Sequence, residues 1–217
     1  MLQKSSGLIM EIKRGIIVSI QGYARDTTQE LALNAESGGA VAIRTDKPVR
    51  GLNIPIIGLS KKKVPNLETT PYITTTIESI DFVHQFSDFV AIDYRVINKD
   101  LKDLSEYCKE EKIPVIADIR GGRCLNRIIE EGFYFTYIST TFGVFDNKYR
   151  PDIKFLETVN RKFPGQVIAE GGYSTRAQIG QAYKAGAVCV CIGGAISNTY
   201  KLTQKFSSVP LFDNGTN

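Results

Sequence analysis

Residues 167–194 read VIAEGGYSTRAQIGQAYKAGAVCVCIGG, and this stretch decides the fold. Two short apolar runs, Val167–Glu170 and Cys189–Ile192, lack the polar alternation of a half-exposed strand, which is typical of parallel strands covered on both faces. The residues between them predict a helix over Arg176–Ala185, which Thr175 opens with a capping-box pattern. A buried strand, a helix and a second buried strand together form one βαβ unit.

The same alternation runs along the rest of the chain and gives eight strands. The strand candidates are Ile16–Gln21, Ala40–Arg44, Ile56–Ser60, Phe89–Asp93, Val115–Asp118, Tyr137–Ser139, Val167–Glu170 and Cys189–Ile192. The helix candidates are Thr28–Ser37, Thr76–Phe86, Leu101–Glu111, Leu125–Glu131, Ile153–Lys162, Arg176–Ala185 and Thr199–Phe206. Eight strands that alternate with helices predict an α/β fold of the (β/α)8 TIM-barrel type, and an open doubly wound sheet is the alternative.

The second unit of the predicted barrel is incomplete. The segment between the second and third strands is short and is interrupted by Pro48, Gly51 and Pro55, so it cannot form a full helix. The second outer helix is therefore expected to be shortened or missing. We expect residues 1–206 to form a single TIM-barrel domain and residues 207–217 to form a polar C-terminal tail.

The composition limits the classes of function. The 217 residues are 42% hydrophobic and 23% charged, which is typical of a globular protein, and the net charge of +4 suits anionic substrates. No stretch approaches the roughly 20 apolar residues of a membrane span. Because we also find no secretory signal and no nucleic-acid-binding motif, we expect a cytoplasmic protein that binds neither membranes nor nucleic acid. With His84 as the single histidine and no paired cysteine motif, we expect no metal site.

In a barrel of this kind, functional residues lie at the carboxyl ends of the strands. The residues at those positions are Gln21, Arg44, Lys61, Asp93, Asp118, Thr140, Thr141 and Glu170. Several apolar runs stop abruptly at an ionisable residue, so charges would crowd at one mouth of the barrel, which is costly unless they act on a ligand. The competing interpretation is that strand ends are polar because loops begin there.

Two glycine pairs follow the last two strands. Gly171 and Gly172 follow the seventh strand, and Gly193 and Gly194 follow the eighth. Loops at these positions bind phosphate in many barrels through backbone N–H groups, and glycine allows the close approach that phosphate needs. A single pair is more often a tight turn, but two pairs at adjacent strand ends favour a phosphate site.

The sequence resembles a known family, the N-acylglucosamine-6-phosphate (ManNAc-6-phosphate) 2-epimerases of sialic acid catabolism. The matching motifs, in the family's order, are GIIVSIQ at 15–21, ESGGAVAIR at 36–44, PIIGLSK at 55–61, YITTT at 72–76, VAID at 90–93, IADI at 116–119, STT at 139–141, VIAEG at 167–171 and IGGAI at 192–196. The resemblance implies a sugar-phosphate isomerase that interconverts ManNAc-6-phosphate and GlcNAc-6-phosphate without a cofactor, by removing and returning the proton at C2.

The resemblance also implies roles for individual residues. Lys61 and Glu170 fall on the family's catalytic lysine and glutamate, one of which removes the C2 proton while the other returns it to the opposite face. Which of the two starts as the base stays open. The predicted substrate-binding residues are Gln21, Arg44, Asp118, Thr140 and Thr141, and the predicted phosphate-binding residues are Gly171, Gly172, Gly193 and Gly194.

The chain departs from the family's usual pattern at several places, which include Ile20 in place of a cysteine and the missing second helix. Lys62–Val64 replace an Arg-Asp-Tyr run, Asp93–Arg95 replace Asp-Ala-Thr, and Asn198 replaces an arginine that would carry a substrate-binding charge. Arg95, Arg120 or Arg123 could replace that charge, and a solvated loop arginine is the competing interpretation of each. Another phosphosugar isomerase, or a degenerate non-catalytic barrel that binds a sugar phosphate, is the alternative function.

The missing helix also predicts a homodimer. Without that helix, Val49, Leu52 and Ile54 would leave an apolar wall near the second and third strands, and such patches mark interfaces. The alternative is that the shortened loop folds down and covers the gap itself.

Overall fold

The computed structural model describes residues 11–64, 72–95, 100–141 and 150–207, and within them eight parallel strands close into a barrel. The strands are β1 (Gly15–Ile20), β2 (Ala42–Thr45), β3 (Ile56–Gly58), β4 (Phe89–Asp93), β5 (Val115–Ile119), β6 (Tyr137–Thr140), β7 (Val167–Glu170) and β8 (Cys189–Ile192). Each strand pairs with the next in the chain, and β8 pairs with β1. The predicted (β/α)8 barrel is confirmed, and the open sheet is excluded.

Helices follow most of the strands. They are α1 (Arg25–Ser37), α2 (Ile77–His84), α3 (Asp100–Glu110), α4 (Gly121–Glu131), α5 (Ile153–Lys162), α6 (Arg176–Lys184), α7 (Gly194–Ser197) and α8 (Thr199–Ser207). No helix separates β2 from β3, as the sequence predicts. The short α7 was not predicted. None of the helices described is long and apolar enough to cross a bilayer.

Local capping explains where several helices begin and end. The capping box of Thr175 and Gln178 is confirmed, because the Thr175 hydroxyl accepts from the Gln178 N–H and the Gln178 side chain accepts from the Thr175 N–H. Gly132 ends α4 in the left-handed conformation that glycine favours. The predicted start of α1 at Thr28 is wrong, since the helix begins at Arg25.

The predicted polar tail lies outside the described residues, apart from Ser207, which ends α8.

Alternate residues of each strand point into the barrel, and this alternation positions the site. The inward side chains that fill the lower barrel are Ile17, Ala42, Ile57, Phe89, Ala91, Ile116, Ile168, Cys189 and Cys191. Continuing the same parity to the carboxyl ends of the strands brings Arg44, Asp93, Asp118, Ser139 and Glu170 to one mouth. An apolar floor therefore supports a polar ring.

The β2–β3 loop covers the wall that the missing helix would have covered. Val49 is buried, and Leu52 and Ile54 are half-buried against the shell between β1, β2 and α1. Gln29 of α1 fixes the loop through hydrogen bonds to both the N–H and the carbonyl of Arg50. The predicted exposed apolar wall is therefore wrong, and the alternative, a loop that folds down over the gap, is correct.

Candidate active site

A buried arginine lies at the centre of the barrel mouth. The Arg44 guanidinium donates from Nη1 to Asp118 Oδ1 at 3.0 Å and from Nη2 to Asp118 Oδ2 at 2.5 Å, which makes a two-pronged ion pair. The same Nη1 donates to Glu170 Oε2 at 2.8 Å. Arg44 on β2 therefore joins β5 and β7 across the inside of the barrel.

Glu170 is the member of this cluster that reaches solvent. Its side chain is 17% exposed, whereas those of Arg44 and Asp118 are 3% and 0% exposed. Ser139 on β6 donates from Oγ to Glu170 Oε2 at 2.8 Å. Oε2 accepts both of these hydrogen bonds, so the carboxylate has a fixed orientation.

One guanidinium carries too little positive charge to neutralise both the buried Asp118 carboxylate and the partly exposed Glu170 carboxylate. Burial raises the pKa of Asp118 to about 6, and the Glu170 charge acts in the same direction, although Arg44 acts against both. Burial lowers the pKa of Arg44, but the two carboxylates together outweigh it and hold this pKa well above its usual value, so the residue stays a cation. The site therefore holds a permanent positive charge between two carboxylates of unequal exposure.

Lys61 lies at the same mouth, on the extension of β3. Its side chain is exposed, and its main chain pairs with Ile73 in an antiparallel bridge. The surrounding protein removes part of its hydration, and this desolvation lowers the pKa of Lys61; Asp46 raises it, Arg44 lowers it and Glu170 raises it by smaller amounts. Because β3 and β7 are four strands apart in a ring of eight, Lys61 and Glu170 stand on opposite sides of the mouth.

A polar cavity of about 190 Å³ opens beside this cluster, at the ends of β1 and β8. Its lining consists of Ser19, Gln21, Tyr23, Gly193, Gly194, Ser197, Asn198 and Lys201. The Lys201 side chain lies over Gly194: a Cβ added to that glycine would stand 3.3 Å from Lys201 Cδ and 3.8 Å from Nζ. Asn198 accepts from the Lys201 N–H at the start of α8 and so sets where that lysine projects.

The structure brings most of the predicted site residues to this one end of the barrel. Gln21 lines the cavity, and its amide donates to Ser19 Oγ at 2.7 Å. Thr140 has the outward parity of β6, and its Oγ1 accepts from the Glu170 N–H at 3.5 Å, while Thr141 lies at the rim. Of the two glycine pairs, Gly193–Gly194 lines the cavity, whereas Gly171–Gly172 forms a turn with positive φ after β7.

Sequence reasoning missed Ser139 and Lys201 at this end of the barrel. Ser139 is the register partner of Asp118, so strand parity could have identified it. The residues next to Lys201 in the sequence do not indicate a functional role for it, because only the turn between α7 and α8 brings its side chain to Gly194. Arg95 was named as a candidate to replace a missing charge, and its competing interpretation as a solvated loop arginine is wrong, since its side chain is only 4% exposed and pairs with Asp93. In the part of the chain described, no cluster of His, Cys, Asp and Glu suits a metal ion.

A closed barrel whose strand ends gather a lysine, a glutamate and a fixed arginine defines the class of this protein, a TIM-barrel enzyme. The sequence model of one family, NanE, described as "Putative N-acetylmannosamine-6-phosphate epimerase", matches residues 28–209. The chain belongs to this family of sugar-phosphate epimerases, which are isomerases.

Individual relatives agree with the family assignment. A "Putative N-acetylmannosamine-6-phosphate 2-epimerase" of Caldanaerobacter subterraneus is 33% identical, with 92% of each chain covered. A protein of the same description from Borreliella burgdorferi is 30% identical over 92% of this chain and 95% of its own. The solved N-acetylmannosamine-6-phosphate 2-epimerase of Clostridium perfringens shares the fold, with a TM-score of 0.77 and 23% identity over 95% of this chain and 98% of that one.

The charge imbalance at Asp118 predicts a pH-dependent mutant effect. The raised pKa of about 6 lies above the roughly 3.9 of an unfolded aspartate. The contribution of Asp118 to the free energy of unfolding is therefore fully present below about pH 4 and is lost as the pH rises to about 6. We expect the destabilisation by Asp118→Asn, measured by urea denaturation across this range, to shrink as the pH rises.

The control for this measurement is Glu130→Gln on the exposed face of α4. It should show no such trend. A destabilisation by Asp118→Asn that grows with pH would mean that Arg44 outweighs burial and would contradict the charge balance described above.

Proposed function

We propose that this chain interconverts N-acetylmannosamine 6-phosphate and N-acetylglucosamine 6-phosphate by exchanging the proton at C2. The observation that carries the proposal is the placement of Lys61 and Glu170 on opposite sides of one barrel mouth. C2 lies beside the aldehyde of the open-chain sugar, so its proton is acidic enough for a side-chain base to remove. Inversion at C2 then needs a second group that returns a proton to the other face.

Glu170 is prepared for this role by its neighbours. Arg44 and Ser139 both bind Oε2, and we assign the proton transfer to Oε1. A carboxylate whose orientation is already fixed does not need to reorganise during the reaction, which lowers the barrier. Asp118 supports Glu170 indirectly, by holding the Arg44 guanidinium through two hydrogen bonds.

Lys61 acts from the other side of the mouth. Its lowered pKa increases the fraction of neutral amine, which can accept a proton at neutral pH. In its protonated form the same group can return a proton to C2 or stabilise the negative charge that develops on the aldehyde oxygen of the intermediate. Both steps need only acid–base groups of this chain, so we propose that no cofactor takes part.

The polar cavity beside the cluster suits the phosphate of the substrate. Gly193 and Gly194 allow close approach of the main chain, and Lys201 adds a cation next to them. We therefore assign the phosphate to Gly193, Gly194 and Lys201, with the Gly171–Gly172 turn at the neighbouring strand end. Gln21 and Thr141 are assigned to the sugar and its acetamido group, whereas Thr140, which has the outward parity of β6, is assigned to holding the main chain of Glu170.

We also propose the setting in which the chain works. We propose a single domain over residues 1–206, a cytoplasmic location and a role in sialic acid catabolism. The homodimer expected from the sequence stays a prediction, but a different surface of the barrel now supports it. The β2–β3 loop covers its own wall, whereas exposed Ile196 on α7 lines an apolar cavity of about 410 Å³ that a second copy of the chain can cover. Tyr200 and Phe206 on α8 are also exposed.

The proposed reaction predicts isotope exchange. Incubation of N-acetylmannosamine 6-phosphate with the enzyme in deuterated water should yield N-acetylglucosamine 6-phosphate with deuterium at C2, seen by NMR. We expect Lys61→Ala and Glu170→Gln each to lower kcat by about 10² to 10⁴, because each removes one acid–base group. Lys62→Ala removes an exposed lysine next to Lys61 and should leave kcat within about twofold.

The alternatives give different results. Ligand-induced thermal stabilisation without turnover or exchange at high enzyme concentration would contradict the proposal and favour a non-catalytic sugar-phosphate-binding barrel. Turnover of another sugar phosphate alone would favour a different phosphosugar isomerase.

The assigned phosphate site predicts a selective effect of Lys201→Ala. A charge-assisted contact contributes about 1.5–3 kcal/mol, so KM should rise about 10- to 100-fold while kcat changes little. The inhibition constant of inorganic phosphate should rise in parallel. Lys184→Ala, at an exposed lysine that ends α6, is the control. An unchanged KM in Lys201→Ala would remove this lysine from the phosphate site.

A further inference from the structure

The main chain around Lys61 is held by a segment that returns to it from later in the sequence. This return segment is Tyr72–Thr74. The Lys62 N–H donates to the Tyr72 carbonyl at 2.8 Å, and the Thr74 N–H donates to the Ser60 carbonyl at 2.7 Å, with Lys61 bridged to Ile73 between them. A lysine side chain is long and flexible, so its reach depends on where its main chain is anchored.

The return segment is held in turn by the end of β4. The Asp93 N–H donates to the Ile73 carbonyl at 3.1 Å, and Asp93 Oδ2 accepts from the Tyr72 N–H at 3.0 Å. Asp93 is 2% exposed. The segment therefore lies between the extension of β3 on one side and Asp93 on the other, and it transmits the position of Asp93 to Lys61.

The Arg95 side chain contacts both Asp93 and the return segment. Its Nε donates to Asp93 Oδ1 at 2.9 Å and its Nη2 donates to Asp93 Oδ2 at 2.7 Å. The guanidinium carbon also lies 4.5 Å from the centre of the Tyr72 ring. A planar guanidinium can pair with a carboxylate through two parallel bonds and stack on an aromatic ring at the same time, which a lysine cannot do.

Backbone strain in the return segment shows that its conformation is imposed from outside. Thr74 has a φ of +50°, in the left-handed region that a β-branched residue avoids. Its side chain is buried, and its Oγ1 accepts from the Ser60 N–H at 3.1 Å. Such a conformation persists only where the surrounding contacts over-determine it, and Asp93 and Arg95 supply contacts on the side of the segment away from Ser60.

We propose that Arg95 is a positioning residue for catalysis: by clamping Tyr72 onto Asp93, it fixes the return segment and thereby the main chain of Lys61 across from Glu170. The inference rests on the proposed role of Lys61 in proton transfer. It also assigns a role to Arg95, which replaces the threonine of the family's usual Asp-Ala-Thr. Arg95 touches no reacting atom in this account and acts through Lys61 alone.

The experiment compares variants that loosen the clamp with one that keeps it. Arg95→Met and Tyr72→Leu each remove the stacking contact between the guanidinium and the Tyr72 ring. Tyr72→Leu keeps the Arg95–Asp93 ion pair, so it still tests the clamp if Arg95→Met fails to fold. Tyr72→Phe retains the ring and is the matched control. We expect both loosening variants to lower kcat of epimerisation about 10- to 100-fold with KM within about threefold, because small displacements of a catalytic group cost rate.

The pH profile separates positioning from a general loss of stability. A loosened segment leaves Lys61 more hydrated, so its pKa returns toward the ordinary lysine value and the limb of the kcat profile that depends on Lys61 moves to higher pH. Arg95→Lys keeps the positive charge but lacks the planar guanidinium that pairs through two bonds. Its kcat should therefore lie between that of Arg95→Met and that of the wild type. Folded variants with unchanged kcat, or a lower melting temperature with no change in kcat or in this limb, would overturn the inference.

A second readout does not depend on the activity. Lys61, Lys62 and Lys63 are exposed trypsin sites next to the return segment, so opening of the clamp should speed native-state cleavage there about tenfold in Arg95→Met and Tyr72→Leu but not in Tyr72→Phe. Equal cleavage rates in all variants would overturn the inference. Faster cleavage with an inactive wild-type enzyme would support the clamp while the proposed epimerase activity failed.

Discussion

The contact of Arg44 with two carboxylates is the constraint on which the rest of the site depends. The guanidinium lies inside a barrel whose lower half is apolar, and it connects β2, β5 and β7 at the level where the polar residues begin. Removing one member of a buried ion pair commonly costs about 3–5 kcal/mol, because the remaining charge stays buried without a partner. The three charged side chains therefore stabilise one another only when all are present, and their mutual contacts fix the orientation of the Glu170 carboxylate.

The two proposed acid–base groups are held in contrasting ways. Glu170 is oriented through its side chain, which accepts hydrogen bonds from Arg44 and Ser139. Lys61 has an exposed side chain and is positioned through its main chain, which the return segment and Asp93 hold. A fixed carboxylate across the mouth from a lysine with an anchored main chain suits a reaction in which a proton leaves one face of a carbon and arrives at the other.

Much of this arrangement could be predicted from the sequence, and the exceptions have physical reasons. β4, β7 and β8 were predicted to the residue because buried parallel strands are continuous apolar runs that end at a charged residue or glycine. The start of α1 was missed because Ala24 caps it without a side-chain hydrogen bond. The contact of Arg95 with Tyr72 was not predicted because the sequence does not show that the chain returns Tyr72 beside it. Lys201 was missed because its position depends on the turn after α7.

The central claim is that Lys61 and Glu170 serve opposite faces of C2, and exchange of each epimer in deuterated water tests it most directly. In such a mechanism, Lys61→Ala and Glu170→Gln each lose exchange at C2 of one epimer, retain slow exchange at C2 of the other, and differ in which epimer they still exchange. We predict this complementary pattern, with no epimerised product in either variant. Loss of exchange from the same epimer in both variants, or full epimerisation without one of the two groups, would contradict the account.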